Sequence, residues 1–246
     1  MTRTKSFYDL HDALVLSGCP VCRLKAAYTE RLLDNLLYEK VNDPGLRARI
    51  RQARGFCHEH AWGLVRESAV LGVSIILRDV LHEVLRIMSA ARFRTSPTLS
   101  FRRVQEALDL EQPRAATAEL VAQLGPQEPC PICVYAGEME EACLSALRDN
   151  LLDEDGLLAA YRSSDGLCLP HFRQVLTGVD SETTFRALVD AQQAIWSRLE
   201  QQLGESIRKS DYRFSSEPVG DEAGAWRRAI AAISAENLRR GGTCRA

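Results

Sequence analysis

The chain has 246 residues, 46% hydrophobic and 26% charged, with a formal net charge of −2. These values describe a globular protein of one large domain or two ordinary ones, with no overall electrostatic attraction toward nucleic acid. Its eight cysteines stand in a chain well supplied with Leu, Val and Ile, so they are not the staples of a small secreted scaffold.

The first residues, Met1 to Ser6, lead into no apolar stretch, so no secretory signal is expected and the reading is a reduced, cytoplasmic protein. A short helix is predicted over Tyr8 to Leu16. Cys19-Pro20-Val21-Cys22 follows, and after it Leu24, Tyr28, Leu32 and Leu36 recur at four-residue steps, forming one helical stripe. Asn42-Asp43-Pro44-Gly45 is a turn and helix start. The next helix carries Arg47, Arg49, Arg51 and Arg54. A phosphate-binding stripe and a solvated helix face both fit this pattern, and the negative net charge favours the second.

Cys57-His58-Glu59-His60 comes next, and the apolar positions from Ala61 to Phe93 then trace a broad helical face. The most apolar run, Ala69 to Leu77, lies between Arg66 and Arg78. It is far short of the ~20 residues that span a bilayer. A proline-bearing stretch follows, with helical pieces near Phe101 to Leu110 and Ala115 to Leu124. Beyond Cys130-Pro131-Ile132-Cys133 lie several acidic residues, including Glu138, Glu140, Glu141 and Asp149, and then Cys168-Leu169-Pro170-His171. Phe185, Leu188, Gln192, Ile195, Leu199 and Leu203 recur at steps of three or four, the pattern of a helix–helix seam or a homodimer contact. After a loop over Phe214 to Asp221, Trp226, Ile230 and Ile233 fall on one face of a short helix expected to pack on the body.

The two cysteine–histidine segments repeat. Cys130 − Cys19, Cys133 − Cys22, Cys168 − Cys57 and His171 − His60 are all 111 residues. The same offset lays Leu33 on Leu144, Leu36 on Leu147, Gly45 on Gly156, Leu46 on Leu157 and Gly55 on Gly166. It also selects His60 over His58, because position 169 is a leucine. Three thiolates and an imidazole are the donor set of a closed tetrahedral zinc site. An Fe–S cluster with one histidine ligand uses the same atoms and is the alternative cofactor. A thioredoxin-type dithiol would need a βαβ setting, and no strand pattern accompanies these cysteines.

The expected architecture is all-α: two tandem helical repeats over residues 1–93 and 115–213, a linker over 94–114, and a loop, amphipathic helix and tail over 214–246. One site would use Cys19, Cys22, Cys57 and His60, and the other Cys130, Cys133, Cys168 and His171, unless the halves exchange ligands. Cys143 and Cys244 stand outside both. Two zinc ions per chain would hold helix ends together and present a surface to a protein partner or a second copy. No phosphate-cradling glycine loop or nucleophile elbow points to an enzyme.

Several phrases carry a family likeness. The paired Cys-Pro-x-Cys segments, Leu36-Leu37-Tyr38-Glu39-Lys40-Val41-Asn42-Asp43-Pro44, Gly55 to His60, Gly166 to His171 and Trp226-Arg227-Arg228-Ala229 resemble a family of uncharacterised bacterial proteins, a domain of unknown function. The resemblance spans most of the chain. It supports the architecture and brings no activity with it.

Overall fold

The computed structural model describes residues 3–92, 117–214 and 217–236. Among these residues the fold is all-α, with eleven α-helices and no strand. The helices are α1 (Lys5–Leu14), α2 (Pro20–Tyr38), α3 (Pro44–Gln52), α4 (His58–Trp62), α5 (Val70–Ala90), α6 (Ala118–Leu124), α7 (Pro131–Asp149), α8 (Leu158–Ser163), α9 (Leu169–Thr177), α10 (Glu182–Lys209) and α11 (Ala225–Ser234). The expected helical piece near Phe101 to Leu110, the tail and Cys244 lie outside the described residues.

The repeat survives in the helix order. Adding 111 to the bounds of α2 gives those of α7, and α3 ends where α8 ends by the same rule. Proline opens α2, α3 and α7 and stands in the first turn of α9, where its fixed φ suits a helix start and no backbone donor is lost. Asp43 caps α3 by accepting from the Leu46 amide at 2.7 Å.

The chain divides into two compact units. One comprises Met1–Thr29 and Ala136–Ala246, the other Glu30–Tyr135. In the first, Leu10 and Leu14 of α1, Leu144 and Leu147 of α7, Tyr161 of α8, Val175 of α9 and Leu188 and Ile195 of α10 form the core. In the second, Leu33 and Leu36 of α2, Ile50 of α3 and Ile76 and Val80 of α5 do so. Repeat-related leucines thus serve two different cores.

Two expectations need correction. The helix expected from Ala61 to Phe93 is interrupted: α4 ends at Trp62, Gly63 caps it, and a 3-10 turn at Glu67–Ala69 precedes α5. Glycine at that cap favours termination over propagation. The terminal helix α11 packs on α9 and α10 as expected, but not through its large apolar face, because Trp226, Ile230 and Ile233 are exposed. Ala225 is buried, Ala229 and Ala232 are partly buried, and the half-buried Arg228 donates to Gln202 of α10 at 2.7 Å.

Candidate metal centres

All four cysteines that open the motif pairs play the same backbone role. The carbonyls of Cys19, Cys57, Cys130 and Cys168 accept from the amides of Arg23, Ala61, Val134 and Phe172, four residues on in each case. Each cysteine therefore stands at the cap of α2, α4, α7 or α9, and the next donor (Cys22, His60, Cys133 or His171) sits one turn in. Donors at the cap and third position share one side of the helix start. Neither Cys57 nor Cys168 caps its helix through sulfur, which leaves the Sγ atoms for other contacts.

Glycine sets up the approach to both Cys-x-x-His turns. Gly55 and Gly166 have φ of +102° and +71°, two residues before Cys57 and Cys168. A side chain at either would be strained. At Gly166 a Cβ would also lie 2.8 Å from the Gln192 amide nitrogen.

The eight predicted donors come together in two groups of four, but not as halves of the sequence. Cys19, Cys22, Cys168 and His171 form one group, and Cys57, His60, Cys130 and Cys133 the other. The grouping of each Cys-Pro-x-Cys with the Cys-x-x-His of its own half is thereby corrected. Each repeat lends one donor pair to a site completed by the other. The physical reason is the core: α1, α9 and α10 pack around the first helix turn of α2, while α3 and α5 pack around that of α7.

In the first group, His171 Nδ1 lies 3.3 Å from Cys19 Sγ, 3.4 Å from Cys22 Sγ and 3.1 Å from Cys168 Sγ, and Cys22 Sγ lies 3.7 Å from Cys168 Sγ. All four residues are buried. His171 Nε2 faces a carboxylate oxygen of Glu140 at 3.2 Å, and Lys25 pairs with that same carboxylate. Burial would raise the Glu140 pKa, but His171 and Lys25 outweigh it and hold it at about 2. Burial alone would lower the His171 pKa; the Cys168, Cys19 and Cys22 sulfurs and Glu140 drive it upward instead. An ion in the centre would replace that positive charge, leaving a neutral imidazole ligating through Nδ1 with its Nε2–H directed at Glu140.

Two further contacts hold this group's loops. Asp165 accepts from the Gly18 amide at 2.7 Å, tying the turn before Cys19 to the segment before Cys168. Gln192 grips the Leu167 backbone at both ends, accepting from its N–H at 3.0 Å and donating to its carbonyl at 3.2 Å, while the buried Tyr161 hydroxyl donates to the same amide oxygen. Glu140 and Gln192 were not singled out for these roles by sequence. Each carried a signal: Glu140 lies on the stripe of Ala136, Cys143, Leu144 and Leu147, and Gln192 lies among the apolar positions of α10. A polar residue on a buried stripe needs a partner.

In the second group, His60 Nδ1 lies 3.1 Å from Cys57 Sγ, 3.3 Å from Cys133 Sγ and 3.7 Å from Cys130 Sγ, and the Cys133 and Cys57 sulfurs are 3.6 Å apart. His60 is buried, Cys130 stands at the edge of burial with 9% exposure, Cys57 is partly buried and Cys133 is exposed. Partial desolvation and the neighbouring Cys57 and Cys130 push the Cys133 thiol up to about 12. The neighbouring sulfurs oppose ionisation of Cys133, and a cation would remove that opposition. Here Arg54 donates to the Gln123 carbonyl at 2.6 and 2.9 Å, and the Gln127 amide donates to the Gln52 carbonyl at 2.8 Å.

The remaining candidates have simpler places. Arg47 and Arg51 pair with Asp79, and Arg49 reaches the Tyr135 hydroxyl, so the arginines of α3 are engaged within the protein. His58 is exposed and edge-on to Trp62. Cys143 is buried beside Met139; burial, with Asp9 and Glu140 nearby, pushes its thiol up to about 11.

A model of a family of unknown function, DUF6062, matches residues 9–239. The chain belongs to that family. The chain is also similar to an uncharacterized 23.9 kDa protein in the xynA 3′ region of Caldicellulosiruptor sp. (strain Rt8B.4), 25% identical over 213 residues, or 86% of this chain and 92% of that protein. No solved structure matches the chain. DUF6062 membership names no activity, and the two Cys3His groups could each hold a metal ion.

Proposed function

We propose that this protein is a zinc-braced helical interaction module, with one structural Zn²⁺ in each Cys3His group and a surface offered to a protein partner or a second copy. The observation that carries the reading is the spacing of the donors. With Zn–S of about 2.3 Å and Zn–N of about 2.0–2.1 Å, a tetrahedral site has S···S edges of about 3.8 Å and S···N edges of about 3.5 Å. In the structure one S···S separation in each group is 3.7 and 3.6 Å respectively, and the S···N separations run from 3.1 to 3.7 Å. All donor atoms in each group lie within 4.8 Å of one another, which suits a single ion better than a cluster whose ligands bind different irons.

Four protein ligands close the coordination shell, which argues for a structural role over a hydrolytic or redox one. Helix starts meeting at each group would stabilise the net charge of about −1 left on zinc by three thiolates. The interaction reading is supported by exposed Trp62, Val65, Val70 and Leu71. Single exposed apolar residues are ordinary, but several close together in sequence suit a partner surface. No helix among the described residues is long and apolar enough to cross a membrane. Reduced thiols are required throughout, which fits a cytoplasmic location. The engaged arginines of α3 and the net charge weigh against nucleic acid.

The test is elemental analysis of protein purified without oxygen. Two zinc ions per chain are expected, with loss of helical circular dichroism on chelation. Iron with visible absorption would overturn zinc, and a well-folded chain holding no metal would overturn the structural role.

A further inference from the structure

The same donors meet solvent very differently in the two groups. Cys19, Cys22, Cys168 and His171 are all buried, whereas Cys133 is exposed and Cys57 partly buried. The Cys133 and Cys57 sulfurs stand 3.6 Å apart. A disulfide needs about 2.05 Å, so an approach of roughly 1.5 Å would join them. The thiolate is the form of cysteine that reacts with an oxidant.

Resting on the structural-metal reading above, we propose that the open group is a modification site where hydrogen peroxide oxidises Cys133 and Cys57 to a disulfide, releasing the metal from that group alone. The Cys133 thiolate attacks a peroxide oxygen; the S–O bond forms, the O–O bond breaks and hydroxide leaves. The Cys57 thiolate then attacks the sulfenic sulfur; the S–S bond forms, the S–O bond breaks and a second hydroxide leaves. Two protons from solvent turn both hydroxides into water. The two sulfurs together lose two electrons and hydrogen peroxide gains them. Cys130 and His60 alone do not retain the ion. A dithiol reductant reverses the bridge by exchange.

Solvent access assigns the order. Cys133 is the sulfur-bearing residue a small oxidant reaches first, and Cys57 is the neighbour placed to resolve it. The buried group presents no exposed cysteine, so it keeps its ion through the same exposure to peroxide.

The experiment begins with a metal count on protein purified under nitrogen, continues with one equivalent of hydrogen peroxide and a chromogenic chelator, and ends with alkylation and peptide mapping. The expected result is release of one of two metals, a Cys57–Cys133 bridge, and Cys19, Cys22 and Cys168 alkylated only after denaturation. Dithiothreitol plus zinc should restore the second metal. Release of both metals together, a Cys130–Cys133 bridge, or first oxidation among Cys19, Cys22 and Cys168 would overturn the proposal. A starting count of zero would sink the zinc reading, while the peptide map would still judge the bridge on its own. Cys133→Ser should start with one metal and release none at the same dose; release of that remaining metal would also overturn it.

Discussion

Two Cys3His groups built from duplicated sequence invite a direct comparison. The first pairs α2 with α9 and is sealed by α1 and α10, with Glu140 and Lys25 completing a chain of charge behind His171. The second pairs α7 with α4, and one of its cysteines faces water. At the 111 offset, Glu140 corresponds to Thr29 and Lys25 to Ala136, so duplication preserved the donors but not their surroundings. Ligand identity answers to coordination geometry, whereas burial and supporting charge answer to each unit's own core. On the proposals above, that difference makes one site permanent and the other responsive.

The largest expected effect separates the two sites outright. His171→Ala should lose one metal and unfold the unit around it, removing most of the ~10–16 kcal/mol a structural zinc contributes. Amide exchange should collapse in Met1–Thr29 and Ala136–Ala246 but persist in Glu30–Tyr135. Equal collapse in both units would break the comparison. Next comes Gln192→Leu, which installs the residue found at the repeat-related position 81. It strips the Leu167 N–H and carbonyl and the Tyr161 hydroxyl of their partner, so stability measured in urea should fall by about 3 kcal/mol. Glu140→Ala should weaken metal binding at the buried group about 10–100-fold in chelator competition and leave the open group unchanged.

The smallest effect lies in the second unit. Burial opposes ionisation of Asp79, but Arg51 and Arg47 together hold its carboxyl below its usual range. A depressed folded pKa means the contribution is present above the unfolded value of 3.8 and is lost as pH falls below it. Asp79→Asn should therefore cost under ~1 kcal/mol at pH 7, with the difference from the parent shrinking in acid.

Much of this was legible in the residues. Proline after Cys19 and Cys130, Asp43 before Pro44 and the leucine stripes specify helix starts and faces locally, and the structure follows them. The choice of His60 over His58 needed only the repeat, and the structure brings His60 and not His58 into a donor group. Which Cys-Pro-x-Cys meets which Cys-x-x-His was not legible, because duplication gives every donor pair two chemically equivalent partners. Tertiary packing makes that choice, through residues such as Leu10 and Tyr161 whose contacts are distant in sequence. Glu140 was hidden for a related reason. Among several acids on one helix, only the fold reveals which carboxylate points inward.

The exchange of donor pairs gives the chain a nested timetable during synthesis. Cys133 follows Cys57 by 76 residues, whereas Cys168 follows Cys22 by 146. The inner site acquires its last donor while the outer one still lacks both Cys168 and His171. At about 5–20 residues per second, Cys22 waits roughly 7–30 s for Cys168. A nascent chain that has emerged only as far as α7 already owns one whole donor set and half of another. Stalled or truncated products should therefore carry a finished inner site beside a reactive, unsatisfied Cys19–Cys22 pair.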